Sequence, residues 1–181
     1  MVPDEKIKSE LGLVQVYTGN GKGKTTASLG LALRAIGNGL RVGMIQFMKH
    51  ELSGGEYEMS KLLDNFTLIS RGPKHLLDPN GLTENDRKVA YQALDTAEEM
   101  IYSEKYDLFI MDEVNTAMGW KLIDVKDVIN MLNNRPKNIE IVMTGRYVPD
   151  EIIEYADLVT EMKMIKHPFS KGIGARKGIE E

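Results

Sequence analysis

Cysteine is absent from this chain of 181 residues, which removes disulfides, thiolate zinc sites, cysteine-ligated iron–sulfur clusters and thiol nucleophiles together. The three histidines, His50, His75 and His167, stand far apart with no HExxH-type spacing, so a histidine zinc site has no support in the pattern. No run approaches the roughly 18–20 apolar residues that a membrane-spanning helix needs. Residues 1–10 are charged and lack the apolar stretch of a signal peptide. Both absences lead us to expect a soluble, cytoplasmic protein without a membrane partner. Charge of one sign is scarce as well: 23 Lys and Arg against 27 Asp and Glu leave a net charge of −4. That balance argues against nucleic acid as the main ligand. Repeats, low-complexity tracts and Ser/Gly-rich linkers are missing too. Residues 1–181 therefore read as one domain, with an N-terminal arm over 1–12 and a C-terminal tail over 167–181. At this length a single core hides roughly 70% of the unfolded surface.

Apolar β-rich runs alternate with helical patterns. Strands are expected over 13–18, 41–47, 66–69, 108–111, 139–143 and 158–165, and a helix over about 24–36. Thr83 to Asp86 form an N-cap pattern before a long helix whose apolar stripe is Val89, Ala93, Ala97, Met100 and Ile101. Val125, Val128, Ile129 and Leu132 mark another helix by their i, i+3, i+4, i+7 spacing. Strands that are apolar without alternation suit a parallel sheet covered on both faces. The expected class is α/β, a doubly wound, mostly parallel sheet of about six strands with helices on both faces. Ligands of such sheets bind beyond the carboxyl ends of the strands. The tail after His167, rich in Gly and Lys, has no period and is either a disordered end or a segment ordered by a ligand.

The first strand runs into Thr18-Gly-Asn-Gly-Lys-Gly-Lys-Thr-Thr26. Phosphate oxygens need several donors converging without side-chain bulk, which Gly19, Gly21 and Gly23 permit, and the following helix adds its positive N-terminus. Lys24 can reach the β- and γ-phosphates and the Thr25 hydroxyl can take a place on Mg²⁺. Against G-x-x-x-x-G-K-[ST], Thr18 replaces the leading glycine. A nucleoside polyphosphate is therefore the expected ligand, and the chain a single phosphate-loop nucleotide-binding domain. Asp112 and Glu113 end a buried apolar strand, where carboxylates hold Mg²⁺ directly or through water. Adjacent acids on an extended chain point apart, so one meets the metal and the other anchors the neighbouring turn. Arg146, closing a later strand, is either a clamp for triphosphate or carboxylate or an ordinary surface arginine.

Taken together, these segments resemble the phosphate-loop type of ATP:corrinoid adenosyltransferase. The likeness runs from Leu13 to Glu180. It rests on residues 17–26 with the same Thr18, Gln46-Phe-Met-Lys49 followed by Gly55-Glu56, Met111-Asp-Glu113, Thr144-Gly-Arg146, Lys166-His-Pro-Phe169, Gly172, Ala175 and Gly178-Ile-Glu180. The resemblance implies a RecA-like fold and transfer of the 5′-deoxyadenosyl group of ATP to cobalt(I) of a reduced corrinoid, with release of triphosphate. It implies a nucleotide lying reversed in the loop, held by Gly19, Asn20, Gly21, Lys22, Gly23, Lys24, Thr25 and Thr26, with Arg146 on nucleotide or corrin. Lys22 adds charge there or stands as an exposed spectator. Mg²⁺ falls to Thr25, Asp112 and Glu113, and catalytic roles to Lys24 and Glu113. A homodimer is implied, its N-terminal residues helping to cover the corrin, and a reductant protein such as a flavodoxin as electron donor.

One segment departs from the family. Its familiar bacterial members carry a Phe and a Trp after the third strand, where residues 71–81 here hold no aromatic except His75. His75 and Leu76 fill that place, or the segment is a flexible surface loop. Two rivals to the transferase are weighed. A small-molecule kinase or ATP hydrolase would use Glu113 to orient the attacking hydroxyl or water. A nucleotide-gated binding module has no interaction tail to support it.

Overall fold

The apolar runs form six strands in the computed structural model, which describes residues 5–50 and 53–180: β1 (Val14–Thr18), β2 (Val42–Gln46), β3 (Phe66–Ser70), β4 (Leu108–Asp112), β5 (Glu140–Thr144) and β6 (Leu158–Glu161). Their order is β3-β2-β4-β5-β1-β6, and every neighbouring pair is parallel. The helices are α1 (Glu5–Ser9), α2 (Lys24–Gly37), α3 (Gly55–Ser60), α4 (Glu84–Tyr102), α5 (Val114–Gly119), α6 (Val125–Asn134) and α7 (Asp150–Tyr155). Among the described residues, no helix is long and apolar enough to cross a membrane.

The strand pleat divides the apolar residues between two cores. Val42, Met44, Leu108, Ile110 and Val142 pack with Ala32 and Ala35 of α2. Ile45, Phe109, Met111, Ile141 and Met143 join Ala93, Ala97 and Ile101 of α4 and Val128 and Leu132 of α6. Continuous apolar strands are thus explained by helices on both faces, the doubly wound class the pattern implied. The start of α4 is fixed by a capping box: Thr83 Oγ1 accepts from the Asp86 backbone N–H, and the Asp86 carboxylate accepts from that of Thr83.

Strand register places the functional chain ends together. Gln46 lies opposite both Asp112 and Ser70, Tyr17 opposite Thr144, and Thr18 opposite Glu161. The other edge is clamped by Asp107, which pairs with Lys8 at 3.0 Å and with Arg41 at 2.9 Å. Burial would raise the Asp107 carboxyl, but hydrogen bonds from Arg41 and Lys8 outweigh it and bring it down to about 2. Within the N-terminal arm, Ile7 and Leu11 pack on the α2 side of the sheet; residues 1–4 lie outside the described part.

Two expectations about elements are revised. The last strand ends at Glu161 rather than at residue 165, because β1 stops at Thr18 and offers it no further partner. Met162 makes one more pairing, its N–H donating to Thr18 O at 2.8 Å, and the chain then crosses the phosphate loop. The tail is not wholly irregular, since Pro168–Lys171 form a 3₁₀ turn.

Candidate active site

Thr18, the departure from the usual phosphate-loop pattern, is the last residue of β1 and pairs with the end of β6. A strand position suits a β-branched residue better than glycine. The neighbouring glycine is obligatory: Gly19 has φ 95°, and a Cβ there would lie 2.5 Å from the Met162 carbonyl oxygen. Gly21 N–H, expected to face a phosphate, donates to that same carbonyl at 2.6 Å. Lys24 is buried and folds back into the loop, its Nζ donating to Gly19 O and Gly21 O at 2.9 Å each. Its ammonium is shifted below its ordinary value, chiefly by burial; Glu113 and Asp112 oppose that shift and Arg146 adds to it. Asn20 and Lys22 are exposed at the tip.

The strand ends supply the acids. Asp112 Oδ1 accepts from Thr25 Oγ1 at 2.8 Å and from Thr144 Oγ1 at 2.6 Å. Burial pushes this carboxyl up to about 6; the Thr144 hydroxyl opposes the shift, Glu113 adds to it, and Thr25 opposes it. Glu113 takes the left-handed conformation, φ 63°, and turns the chain from β4 into α5. Its carboxylate accepts from the Thr116 hydroxyl, which in turn accepts from the Arg146 N–H at 2.9 Å. The two acids take different partners, Asp112 the Thr25 hydroxyl of the loop and Glu113 that of Thr116, and both line the cavity beside the loop.

Two cavities open on these groups. One, of about 340 Å³, lies beside the phosphate loop and is walled by Thr25, Thr26, Lys49, Glu56, Asp112 and Glu113. Lys49 Nζ donates to Glu56 at 2.7 Å, Gln46 Nε2 to the same oxygen at 3.1 Å, and Ser70 Oγ to Gln46 at 2.9 Å. Burial alone would raise the Glu56 carboxyl, yet the Lys49 contact holds it below its ordinary value. Gly178, Ile179 and Glu180 of the tail close this cavity. Glu180 binds Arg176 and also Lys22 of the loop, at 2.8 Å and 2.9 Å, and these partners keep its carboxyl far below the usual range.

The second cavity, a cleft of about 510 Å³, is lined by His75, Leu76, Trp120, Arg146 and Tyr147, with Met48 and Glu113 on the side that borders the first. Arg146 is exposed, without a side-chain partner among the described residues. Sequence reasoning did not place Tyr147 or Thr116 in the site. Tyr147 directly follows Arg146, and Thr116 stands three residues after Glu113, one helical turn on, which was the signal available. Trp120, remote in sequence from the 71–81 segment, meets His75 and Leu76 across the cleft.

A family model for the ATP:corrinoid adenosyltransferases BtuR/CobO/CobP matches residues 10–180. A corrinoid adenosyltransferase of Sinorhizobium sp is 37% identical over 174 residues, which covers 94% of this chain and 81% of that protein. One from Escherichia coli K12 is 32% identical over 179 residues, covering 96% and 87%. A third, from Pseudomonas aeruginosa PAO1, is 34% identical over 188 aligned positions, covering 99% and 90%.

Proposed function

Since the chain belongs to the ATP:corrinoid adenosyltransferase family, we propose that it moves the 5′-deoxyadenosyl group of ATP onto cobalt(I) of a reduced corrinoid and releases triphosphate. The observation that carries this reading is a common wall: Glu113 and Met48 border both the cavity beside the phosphate loop and the cleft. Triphosphate in the loop, with the nucleotide reversed, directs C5′ towards that wall. A corrin in the cleft brings its metal to the wall from the other side.

In the proposed step the cobalt(I) electron pair forms the Co–C bond as the C5′–O bond breaks. The leaving electrons go to the triphosphate, and cobalt becomes cobalt(III). No side chain has to be activated as a nucleophile, in keeping with a site built of lysine, threonines and carboxylates. The protein's share is to hold two reactants in line, worth up to about 7–11 kcal/mol, and to receive the leaving charge through the loop's backbone donors other than Gly21 and through Lys24 and Lys22, once these exchange Gly19 O, Gly21 O and Glu180 for phosphate oxygens. Arg146 lines the cleft and acts electrostatically on Lys24 of the loop, so it would touch corrin or nucleotide.

Among the described residues no three His, Asp or Glu side chains form a ready-made metal cage. A buried Asp112 beside a second carboxylate is nonetheless a charge that a divalent cation would balance. Mg²⁺, which keeps waters and shares phosphate oxygens, fits Thr25, Asp112 and Glu113, and when bound it would neutralise the triphosphate. We further propose a homodimer supplied with electrons by a reductant protein such as a flavodoxin.

Anaerobic incubation with Mg-ATP and chemically reduced cobalamin tests the reaction. A light-sensitive alkylcobalamin spectrum with equimolar triphosphate is expected. ADP and orthophosphate with an unchanged corrinoid would overturn the proposal in favour of phosphoryl transfer.

A further inference from the structure

Beyond the cleft lies a third cavity of about 410 Å³, and His50, Pro73, Lys74 and His75 form the wall between the two. Its remaining walls include Arg71 at the end of β3 and Asn85 and Gln92 of α4. Among the described residues no acidic side chain lines it. Arg71 and Lys74 are exposed, and neither side chain has an ion-pair or hydrogen-bond partner among the described residues, whereas Lys8, Lys22, Arg41, Lys49, Lys61 and Arg176 are all paired. One nearby acid, Asp86, is buried: its Oδ2 accepts from the Thr83 N–H and hydroxyl, and its Oδ1 lies 3.1 Å from His75 Nε2.

The basic segment is also held in place. Arg71 N–H donates to Gln46 O at 2.9 Å, and His50 Nδ1 donates to Gly72 O at 3.1 Å. Gly72 is buried so tightly against residues 48 and 49 that an added Cβ would lie 2.7 Å from their backbone. Among the described residues, Arg71 and Lys74 thus stand without partners over a cavity that no acid lines, next to the cleft assigned to the corrin.

We propose that this cavity is an anion subsite for the corrinoid, taking a phosphodiester or a side-chain carboxylate and thereby selecting which corrinoid is adenosylated. The inference rests on the corrin occupying the cleft. The Arg71 guanidinium can fork onto two oxygens, Lys74 supplies a mobile point charge, and Asn85 and Gln92 offer neutral donors. The two anion sources are chemically separable. Cobalamin carries one phosphodiester in its nucleotide loop; cobyrinic acid carries carboxylates and no phosphate; cobinamide is amidated and has neither.

The test measures KM for each of the three reduced corrinoids at saturating Mg-ATP, with wild type, Arg71→Gln, Lys74→Gln and the double variant. Removing one charge-assisted contact is expected to raise the KM ratio of the recognised anionic corrinoid to cobinamide about tenfold, and both together about 100-fold. A shift confined to cobalamin identifies the phosphodiester, and one confined to cobyrinic acid the carboxylate. Unchanged ratios for both, or an equal loss on cobinamide, would overturn the subsite. If wild type adenosylates none of the three, the proposed function fails separately. Absorbance titration of the oxidised corrinoids into the same proteins then decides the subsite, since a selective loss of anionic-corrinoid affinity supports it and no selective loss refutes it.

Discussion

Asp112 is a carboxylate enclosed by protein, next in sequence to a second carboxylate, with threonine hydroxyls bonded to it. A carboxyl whose folded value is raised to about 6 binds its proton more tightly in the folded state than in the unfolded. Its favourable contribution is therefore complete below the ordinary carboxylate range near 4 and is lost as pH rises through about 6. We expect the melting temperature of the ligand-free protein to fall across pH 4–6 relative to Asp112→Asn, which cannot ionise there. Mg-ATP should stabilise the wild type more at pH 7 than at pH 5, because its cation meets an ionised acid only at the higher pH. Thermal melts of both proteins across this range check the prediction, and parallel curves would contradict it. This acid was legible in the sequence from its place at the end of an apolar strand. Its partnership with Thr144 was not, because a contact between two strand ends depends on the strand order.

At the scale of elements, β1, the phosphate loop and α2 could be read directly, since glycine spacing, strand and helix agree locally. Helix α5 could not: residues 114–118 are all buried, so no polar face marks a helical period. Nothing in residues 158–165 announces that β6 ends by packing Met162 on the loop glycines. Helix α5 nonetheless fixes the site, because Thr116 links Glu113 to the chain after β5. Gly145 makes that contact possible: its φ is 131°, and a Cβ would lie 2.7 Å from the Thr116 nitrogen. Gly145→Ala should cost about 2 kcal/mol through backbone strain and overpacking, while displacing Glu113. The expected result is a lower urea midpoint together with a raised KM for ATP. A variant with both parameters of wild type would show that α5 gives way without effect on the site.

For the whole molecule, a parallel sheet separates two tasks by edge. The carboxyl edge gathers the loop, the acids and the clefts, while the amino edge carries the clamp of Asp107, Lys8 and Arg41. Asp107, held at about 2, contributes stability above the ordinary carboxylate range that is lost as pH falls from about 4 towards 2. Asp107→Asn should lose about 1 kcal/mol, because the charge lost is buried while its partners Lys8 and Arg41 are partly exposed and can turn to solvent, roughly 2–4 °C in Tm for a chain of this size, with KM for ATP unchanged at temperatures where the variant is folded. A rise in KM would show that the two edges are coupled. At the carboxyl edge the opposite holds, because Glu113 and Met48 stand between two ligand spaces. Any shift of that partition that helps one substrate settle alters the room left for the other. Equilibrium linkage then fixes the exchange: whatever factor the nucleotide adds to corrinoid affinity, the corrinoid returns to the nucleotide in full.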